Sequence, residues 1–370
     1  MNEEELKLRI ALHLLPGIGP VSARALISYC GSIENIFLKK KAQLEKIPGI
    51  GSERAKLIQK KDLFEKAEEE IRFMKKQGIN SLFYLDKDYP FRLKNCDDAP
   101  LMLFYKGNIS LNKDRMIAIV GTRFITPYGR DMTEKLINEL NQYNVVIVSG
   151  LAYGIDVQAH KIAIQNNIPT IGVVAHGLDR IYPAENKDTA NKMVLNGAII
   201  SEYPSKTNPD RENFPARNRI VAGMCDAVVV IESAIKGGAL ITADLANDYN
   251  RDVFALPGRV TDHFSKGCHQ LISKNKAMLF ESAIHIAEIM NWDDNKESNK
   301  QKTQNQLNLF ATLNDDEKKL VEILRSCGQI GIDTIAASAD FPVSKVSATL
   351  LKLEFSGILR SLPGKMYELL

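Results

Sequence analysis

The chain has 370 residues, of which 45% are hydrophobic and 25% are charged, and its formal net charge at pH 7 is +3. Such a composition is typical of a soluble globular protein, and the length favours two or three domains over one. The small net charge neither indicates nor excludes a nucleic-acid partner, so local clusters of cations must decide. The five cysteines lack CxxC spacing, which fits a reducing compartment and excludes a cysteine-rich zinc module.

Signals for membranes and common cofactors are missing from the sequence. The N-terminus starts with acidic residues and carries no apolar run of signal-peptide or membrane length, so a cytoplasmic protein without a membrane partner is expected. No GxGxxG dinucleotide fingerprint follows a strand, and no GxxxxGK[ST] phosphate loop occurs. We therefore expect no metal and no cofactor.

Residues 1–78 contain an internal repeat and are predicted to form an all-α domain. Leu15-Pro16-Gly17-Ile18-Gly19 recurs as Ile47-Pro48-Gly49-Ile50-Gly51, each time between helix-like segments. This pattern resembles the SAM-like helix-hairpin-helix motif, whose glycine turn offers backbone N–H groups to a DNA phosphate. A packing module without DNA contacts is the alternative. Auxiliary DNA contacts are predicted at Gly17, Gly19, Gly49, Gly51 and Lys56, with Lys60 and Lys61 adding charge to the second copy.

Residues 79–290 are predicted to form an α/β core with an extended Rossmann-like, doubly wound and mostly parallel sheet. The first part, residues 79–112, has two short strand-like runs and is predicted to be a connector that covers an edge or face of the sheet. Continuous apolar runs then alternate with helix-length segments, which is typical of strands buried on both faces. These runs lie at 116–120, 145–148, 170–174, 198–200, 226–231 and 252–255.

The segment that follows the second of these runs is the most informative. Residues 145–148 lead into Ser149, Gly150 and Gly154, and Asp156 then opens a predicted helix. Backbone N–H groups and the positive end of a helix meet at such a turn, which suits a phosphate oxygen. For this segment alone, a plain strand-to-helix turn is an equal alternative.

Four other clusters follow predicted strands, and ligands of such folds bind beyond the carboxyl ends of the strands. Gly121-Thr122-Arg123 places a guanidinium beside a helix start, where it suits a phosphate. The segment from Asn213 to Arg219 offers a ring for stacking and two cations for phosphates. The other two clusters are Lys236 to Thr242 and Gly177 to Pro183.

The ordered series of motifs resembles the DNA-processing protein A family (DprA/Smf) over nearly the whole chain. The matching segments are Gly121-Thr122-Arg123, Ser149 to Asp156 with Ala159-His160, Gly177 to Pro183, Ser201-Glu202-Tyr203-Pro204, Phe214 to Arg219, Lys236 to Thr242 and Leu256-Pro257-Gly258. The resemblance implies a homodimer that binds single-stranded DNA and loads the RecA recombinase during natural transformation and related recombination. One turn departs from the family pattern, because Gly237-Gly238-Ala239-Leu240 replaces a common Ser-Gly-Ser-Leu.

The motifs and the resemblance together predict a site for single-stranded DNA that ignores base sequence. In this hypothesis Arg123 clamps a phosphate, the loop from Gly150 to Gly154 donates backbone N–H groups, and Phe214 with Arg217 holds an adjacent base and phosphate. Asp156, His160 and Glu202 are predicted to support the pocket, and Asn218 and Arg219 have the alternative role of tying their loop to Asp156 or Glu202. Predicted DNA contacts are Gly121, Thr122, Arg123, Ser149, Gly150, Ala152, Gly154, Phe214, Arg217, Asn218, Arg219, Lys236, Gly237, Gly238 and Thr242.

Enzymatic hypotheses are weaker, and no enzyme is expected. A hydrolytic use of Ser149, Asp156 and His160 is disfavoured because successive helix turns do not place a base against the serine. The rival function is a nucleotide phosphoribohydrolase of the lysine-decarboxylase-like Rossmann type, which the core also resembles. Those proteins carry a PGGxGT turn followed by a glutamate, and the turn at Lys236 lacks that pattern.

The C-terminal part changes in composition. Residues 291–312 are rich in Asn, Lys, Gln and Asp, and are predicted to be a flexible linker. Residues 313–370 show three helix-like segments and a small hairpin, which predicts a winged-helix domain. Its third helix carries only Lys345 and Lys352 as cations, so duplex binding and contacts with a partner or a second copy stay open as alternatives.

Overall fold

A computed structural model describes residues 2–58, 60, 62–292 and 313–369. The chain divides into two compact units, Met1–Ile286 and Ala287–Leu370, and each unit is described by itself. Within the described ranges, no helix has both the length and the apolar character needed to cross a membrane.

The first unit begins with a bundle of helices that contains both predicted hairpins. The glycine turns join α1 to α2 and α4 to α5, as the repeat predicts. Gly17 and Gly49 have φ angles of +70° and +81°, a left-handed conformation that favours glycine. The helices are α1 Glu3–His13, α2 Pro20–Cys30, α3 Ile33–Leu38, α4 Lys41–Leu44, α5 Ser52–Ile58 and α6 Asp62–Gln77.

A sheet of nine strands forms the centre of the first unit, in the order β1-β2-β6-β5-β4-β3-β7-β8-β9. The strands from β3 to β9 pair in parallel, whereas β2 pairs antiparallel with both β1 and β6. The predicted mostly parallel, doubly wound sheet is therefore confirmed. The strands are β1 Asn80–Phe83, β2 Met102–Gly107, β3 Met116–Val120, β4 Val146–Ser149, β5 Thr170–Val173, β6 Ala198–Ser201, β7 Ala227–Val230, β8 Asp252–Ala255 and β9 Met278–Leu279.

Strands β3 to β7 are buried along their whole length because helices cover both faces of the sheet. The chain winds outward from β3 through β4, β5 and β6, and then returns to place β7 on the other side of β3. Strand order thus reverses beside β3, where a ligand crevice is expected. The helices are α7 Phe91–Lys94, α8 Pro127–Leu140, α9 Ile155–Gln165, α10 Lys187–Met193, α11 Asn213–Met224, α12 Gly238–Asp248, α13 Lys266–Ser273 and α14 Ala283–Ile289.

Residues 79–112 are more than a cover for the sheet. Their strand β2 pairs with β6 and so extends the sheet beyond its parallel part. Phe83, Met102 and Phe104 are buried in the same apolar cluster as the N-terminal helices. The helical bundle and the sheet therefore share a hydrophobic core at this edge.

The second unit contains the predicted three helices and hairpin. Asn314 caps its first helix in a capping box with Glu317. A short strand, β10, joins the hairpin β11–β12 and was not predicted. The elements are α15 Asp315–Cys327, β10 Ile330–Gly331, α16 Ile332–Ala339, α17 Val343–Phe355, β11 Leu359–Leu362 and β12 Met366–Leu369. The predicted linker falls mostly at residues 293–312, outside the described residues, so it stays a prediction.

Candidate nucleic-acid interface

A cavity of about 360 Å³, open to solvent, lies beyond the carboxyl ends of β3, β4 and β5. It adjoins the point where strand order reverses, which is the usual ligand position in doubly wound folds. The lining residues are Arg123, Gly150, Ala152, Tyr153, Val174, Ala175, His176, Tyr182, Pro183 and Phe214.

The loop that carries Arg123 is fixed at several points. The Thr122 N–H donates to the Glu232 carbonyl oxygen at 2.7 Å, and the Thr126 N–H donates to the Glu232 carboxylate at 3.1 Å. On the other side, the Ile155 N–H donates to the Thr122 carbonyl oxygen at 3.1 Å. Arg123 itself remains exposed on this fixed loop. Among the described residues, no carboxylate lies within ion-pair distance of its guanidinium.

Aromatic rings surround the mouth of the cavity. The Arg123 guanidinium lies over the Phe214 ring, 5.3 Å from its centroid, and the Tyr182 ring meets Phe214 edge-on at 6.1 Å. Tyr153 and Tyr182 are each partly exposed, and the Tyr153 hydroxyl donates to Glu185 at 2.8 Å. The site therefore combines an unpaired cation with several π-faces, an arrangement that suits a phosphate and a base.

A buried polar pair holds the Gly150 loop from beneath. The Gly150 N–H donates to the Asp156 carboxylate at 3.2 Å, and a methyl group added at Gly150 would overlap both Asp156 and Arg217. Burial raises the pKa of Asp156, while the Arg217 charge and the backbone N–H donors oppose that shift. Asp156 thus lies beneath the Gly150 loop and accepts a hydrogen bond from it.

Arg217 does not fit the phosphate clamp expected from the sequence. Its side chain is only 4% exposed, and its Nη1 donates to the Val173 carbonyl oxygen at 2.5 Å. The expected loop is in fact the start of α11, and the helix directs this side chain under the cavity. Arg217 therefore supports the Gly150 loop from within the protein.

Two predicted hydroxyl contacts are also buried. Ser149 is fully buried and donates to the Ile119 carbonyl oxygen at 2.6 Å. Thr242 is buried in α12. These hydroxyl groups face the interior, so the structure does not place them at the cavity.

Arg219 contacts other protein side chains, which is the structural role given above as the alternative to a DNA contact. It forms a hydrogen-bonded ion pair with Glu202, and its Nε lies 3.9 Å from Asp98. Burial raises the pKa of Glu202, and the Arg219 charge opposes that shift. Asn218 is half-buried on the same helix. Glu202 therefore anchors α11, which carries Phe214, as the alternative for Arg219 predicted.

The glycine turn before α12 lies after β7, next to β3 in the sheet. Lys236 and Gly238 are exposed there, and Gly237 caps the helix. None of them lines the cavity. A DNA strand bound in the cavity would have to extend beyond the cavity to contact this turn.

The histidines at this edge are neutral and structural. The His160 Nδ1 is 2.7 Å from the Thr170 hydroxyl, and burial lowers the pKa of His160 to about 3. The His176 Nδ1 donates to the Gly177 carbonyl oxygen at 2.9 Å, and its Nε2 accepts from the Tyr182 N–H at 3.2 Å. Since Ser149 donates to a carbonyl oxygen, the described hydrogen bonds contain no Ser–His pair for hydrolysis.

Of the lysines in the second hairpin, Lys56 has a carboxylate partner, whereas Lys60 is exposed. Lys56 pairs with Glu53 at 2.7 Å. Gly17, Gly19, Gly49 and Gly51 lie in the two turns with open space around them. Lys61 lies outside the described residues, so its added charge stays a prediction.

Sequence reasoning missed Glu232, His176 and Tyr153. Glu232 is buried at the end of β7 and binds the loop of β3, a contact between segments far apart in the chain. A carboxylate directly after an apolar strand was the available signal. In the described parts of the chain, no group of three or more His, Cys, Asp or Glu side chains is arranged to hold a metal ion.

Fold and site together define a Rossmann-like protein with terminal helical modules and a cationic, aromatic crevice at the carboxyl edge of its sheet. The model of the family described as DNA recombination-mediator protein A matches residues 80–291. A SAM-like helix-hairpin-helix tandem matches residues 11–61, and a DprA winged helix domain matches residues 309–365. The chain therefore belongs to the DprA/Smf family, as its motifs predict.

Relatives support this assignment over the whole chain. The Protein Smf of Synechocystis is 33% identical, with 100% of both chains covered. The DNA processing protein DprA of Streptococcus pneumoniae is 42% identical over 57% of this chain and 75% of its own.

Two solved structures are similar in fold and sequence. The X-ray structure of the Streptococcus pneumoniae DprA has a TM-score of 0.62 and 34% identity, covering 78% of this chain and 97% of that one. The DNA processing protein A of Helicobacter pylori, solved to describe its single-stranded DNA binding mode, has a TM-score of 0.52 and 32% identity. This match covers 57% of this chain and 94% of that one.

Proposed function

We propose that this protein binds single-stranded DNA without regard to base sequence at the crevice beyond β3, β4 and β5. The observation that carries the proposal is the exposed, unpaired Arg123, fixed over the Phe214 ring at the mouth of the cavity. A guanidinium offers a phosphate two parallel N–H donors, and an adjacent ring offers any base a stacking surface. The structural relative from Helicobacter pylori, described for its binding of single-stranded DNA, supports the same ligand.

The shape of the site favours a single strand over a duplex. A base must leave its stack to enter a cavity of about 360 Å³, and this is easiest when the base is unpaired. The Gly150 N–H already donates to Asp156, so the Arg123 guanidinium and the rings are the groups proposed to contact a strand, and rings stack on every base. Sequence independence follows from that lining.

The partners are part of the same proposal. A recombination mediator hands its strand to a recombinase, so we assign the protein the loading of RecA on incoming single-stranded DNA during transformation, in the cytoplasm. Homodimerisation is supported by the terminal strand β9, which is paired on one side and exposes Met278 and Leu279 by 37% and 38%. Such an exposed apolar edge suits a second copy of the chain.

The test is a binding titration of the full chain by fluorescence anisotropy, with single- and double-stranded DNA over a salt series. The unmodified protein should prefer the single strand, and its affinity should fall as salt rises. Arg123→Ala should weaken binding and lower the salt slope by about 0.7, the value for one phosphate contact on a single strand. Arg123→Lys, which keeps the charge and loses the fork, should lie between the two.

Unchanged single-strand affinity in Arg123→Ala would exclude this site. Preference for duplex DNA would instead move DNA binding to another surface. Release of a free base from nucleoside monophosphates, measured in parallel, would favour the phosphoribohydrolase hypothesis over DNA binding.

A further inference from the structure

A second pair of aromatic rings lies on the other side of Arg123 from the cavity. The Phe124 ring stacks on Phe264 with 6.5 Å between centroids and 22° between planes, and the His263 ring meets Phe264 edge-on at 5.0 Å. Phe124 is 77% exposed. Neither Phe124 nor Phe264 lines the cavity.

The two aromatic groups lie in a row of loops along the carboxyl edge of the sheet, whose strands follow one another in the order β5, β4, β3, β7 and β8. Tyr182 and Phe214 lie on one side of Arg123, whose guanidinium covers Phe214. Phe124 is the next residue in the chain, with its Cα about 3.8 Å from that of Arg123. The row therefore runs from the loop after β5 to the loop after β8, with a cation in the middle.

Both ring-bearing loops are held in place by backbone hydrogen bonds. The Phe124 N–H donates to the Thr122 hydroxyl at 3.1 Å. The Ser233 N–H donates to the Phe264 carbonyl oxygen at 2.6 Å, which ties the second loop to the end of β7. The Phe124 ring is stacked on Phe264 and 77% exposed, so a face of this ring pair is open to solvent.

We propose that Phe124 and Phe264 form a second base-stacking platform for the same DNA strand. The inference rests on the proposed function and extends it, because it gives the strand a direction: from the cavity, across Arg123, toward the loop after β8. A strand of alternating phosphates and bases matches a row that alternates rings and a cation. The exposed side chains of Arg259 and Lys266 flank this platform in sequence and add positive charge.

The experiment compares two ligands of equal length, an oligothymidylate of about 16 nucleotides and a fully abasic strand with the same phosphates. Binding of the full chain is measured by fluorescence anisotropy for the unmodified protein, Phe124→Ala and Phe124→Trp. Phe124→Ala should bind the oligothymidylate about 5- to 150-fold more weakly, the range for loss of one stacked base. Its affinity for the abasic strand should be unchanged, and Phe124→Trp should retain full binding.

Val260→Ala is the matched control. Val260 is 83% exposed and apolar, and it precedes Phe264 on the same loop but lies outside the row of rings. This variant should bind both strands like the unmodified protein. An equal loss in Val260→Ala and Phe124→Ala would overturn the inference, because a general apolar surface would then explain both.

Failure of the inference differs from failure of the proposed function. If Arg123→Ala loses single-strand binding and Phe124→Ala does not, the platform is excluded and the cavity stands. If the unmodified protein does not bind single-stranded DNA, both are excluded. An equal loss of Phe124→Ala on both strands would assign the ring to loop structure, and a change of oligomeric state in sedimentation would assign it to a protein contact; either result overturns the platform.

Discussion

The cations of the sheet edge differ from those of the two terminal modules. At the edge, Arg123 and Lys236 are exposed, and no described carboxylate pairs with either. In the helix-hairpin module, Lys56 pairs with Glu53 at 2.7 Å. In the winged helix, Lys345 pairs with Asp316 at 2.8 Å and Lys352 with Glu317 at 2.6 Å. The paired cations Lys56, Lys345 and Lys352 thus contribute to contacts within their own modules, whereas Arg123 and Lys236 have no carboxylate partner among the described residues.

The side chains beneath the sheet edge also differ from those beneath the surface of the winged helix. The edge rests on buried polar side chains, with Asp156, His160 and Arg217 packed under the glycine loop. The winged helix rests on an apolar core that includes Leu320, Ile335 and Leu350. Buried charges need their partners, so the edge should be the more sensitive of the two to substitution and to pH.

Arg217→Ala should have the largest effect. It removes a charge that favours the ionised Asp156 carboxylate and leaves the Val173 carbonyl oxygen without this donor, and an unsatisfied buried polar group costs about 1–3 kcal/mol of unfolding free energy. Chemical denaturation followed by fluorescence or circular dichroism measures that loss. Adding Asp156→Asn to Arg217→Ala should restore part of the stability, because it removes the unpaired charge. Weakened DNA binding with unchanged stability would instead mean that Arg217 clamps the DNA directly, as the sequence suggested.

Gly154→Ala should have the second-largest effect on stability. Gly49→Ala is its matched control in the helix-hairpin module. Both glycines have positive φ, +79° and +81°, which costs a residue with a side chain about 1–2 kcal/mol. A methyl group at Gly154 would also overlap the Thr122 carbonyl and the Arg123 backbone, whereas one at Gly49 meets no atom within 4 Å. Gly154→Ala should therefore lose more stability and also displace Arg123 from the cavity.

Denaturation and anisotropy on both glycine variants check this difference. An equal loss of stability in the two variants would show that the loops after β3 and β4 can move apart at little cost in free energy. Loss of single-strand binding in Gly49→Ala, with Gly154→Ala intact, would place the DNA on the hairpin module and reverse the comparison.

The dependence of the unfolding free energy on pH should be the third-largest effect. Burial lowers the pKa of His160 to about 3, so the folded state binds its proton less readily than the unfolded state, whose His pKa is about 6.5. The stability from the neutral ring is complete above pH 6.5 and is lost as pH falls toward 3. Between pH 7 and 5 this loss is about 2 kcal/mol. His13, half-buried at the end of α1 with its Nε2 2.8 Å from the Glu202 carbonyl oxygen, has its pKa lowered to about 4 by desolvation and should add a similar loss.

The measurement is the difference in unfolding free energy of the first unit between pH 7 and pH 5. His160→Asn should reduce that difference by about 2 kcal/mol, because the group that binds the extra proton is gone. In the winged helix, the Lys352 hydrogen bond lowers the pKa of Glu317, so that contribution is lost only as pH falls below the usual range of a glutamate. An unchanged pH difference in His160→Asn would show that His160 is not held neutral.

The sequence was sufficient to predict most strands, though not β9 or β10, together with the hairpin repeat, the winged helix and the sheet edge that carries the cavity. The spacing of hydrophobic residues, the turn residues and the spacing of glycines are local properties of the sequence. They decide whether a segment forms a helix, a strand or a turn. The same local pattern placed Phe214, Arg217 and Arg219 on one exposed loop. A helix that starts at Asn213 instead separates them, with Arg217 under the cavity and Arg219 against Glu202. The side of a helix that a cation occupies depends on partners far away in the chain, and a single sequence does not show those partners.

Lys345→Ala combined with Lys352→Ala should have the smallest effect on DNA binding. Both lysines already pair with carboxylates of α15: Lys345 with the partly exposed Asp316, a kind of pair that contributes about 0–1 kcal/mol to stability, and Lys352 with the buried Glu317. Single-strand affinity and its salt slope should therefore stay unchanged, whereas Lys236→Ala at the sheet edge should lower the slope because Lys236 has no such partner among the described residues. Fluorescence anisotropy with single- and double-stranded DNA measures the affinity and the salt slope of each variant. If the double variant loses duplex binding that Arg123→Ala retains, the winged helix has a DNA surface of its own, and the paired lysines exchange their carboxylates for phosphates.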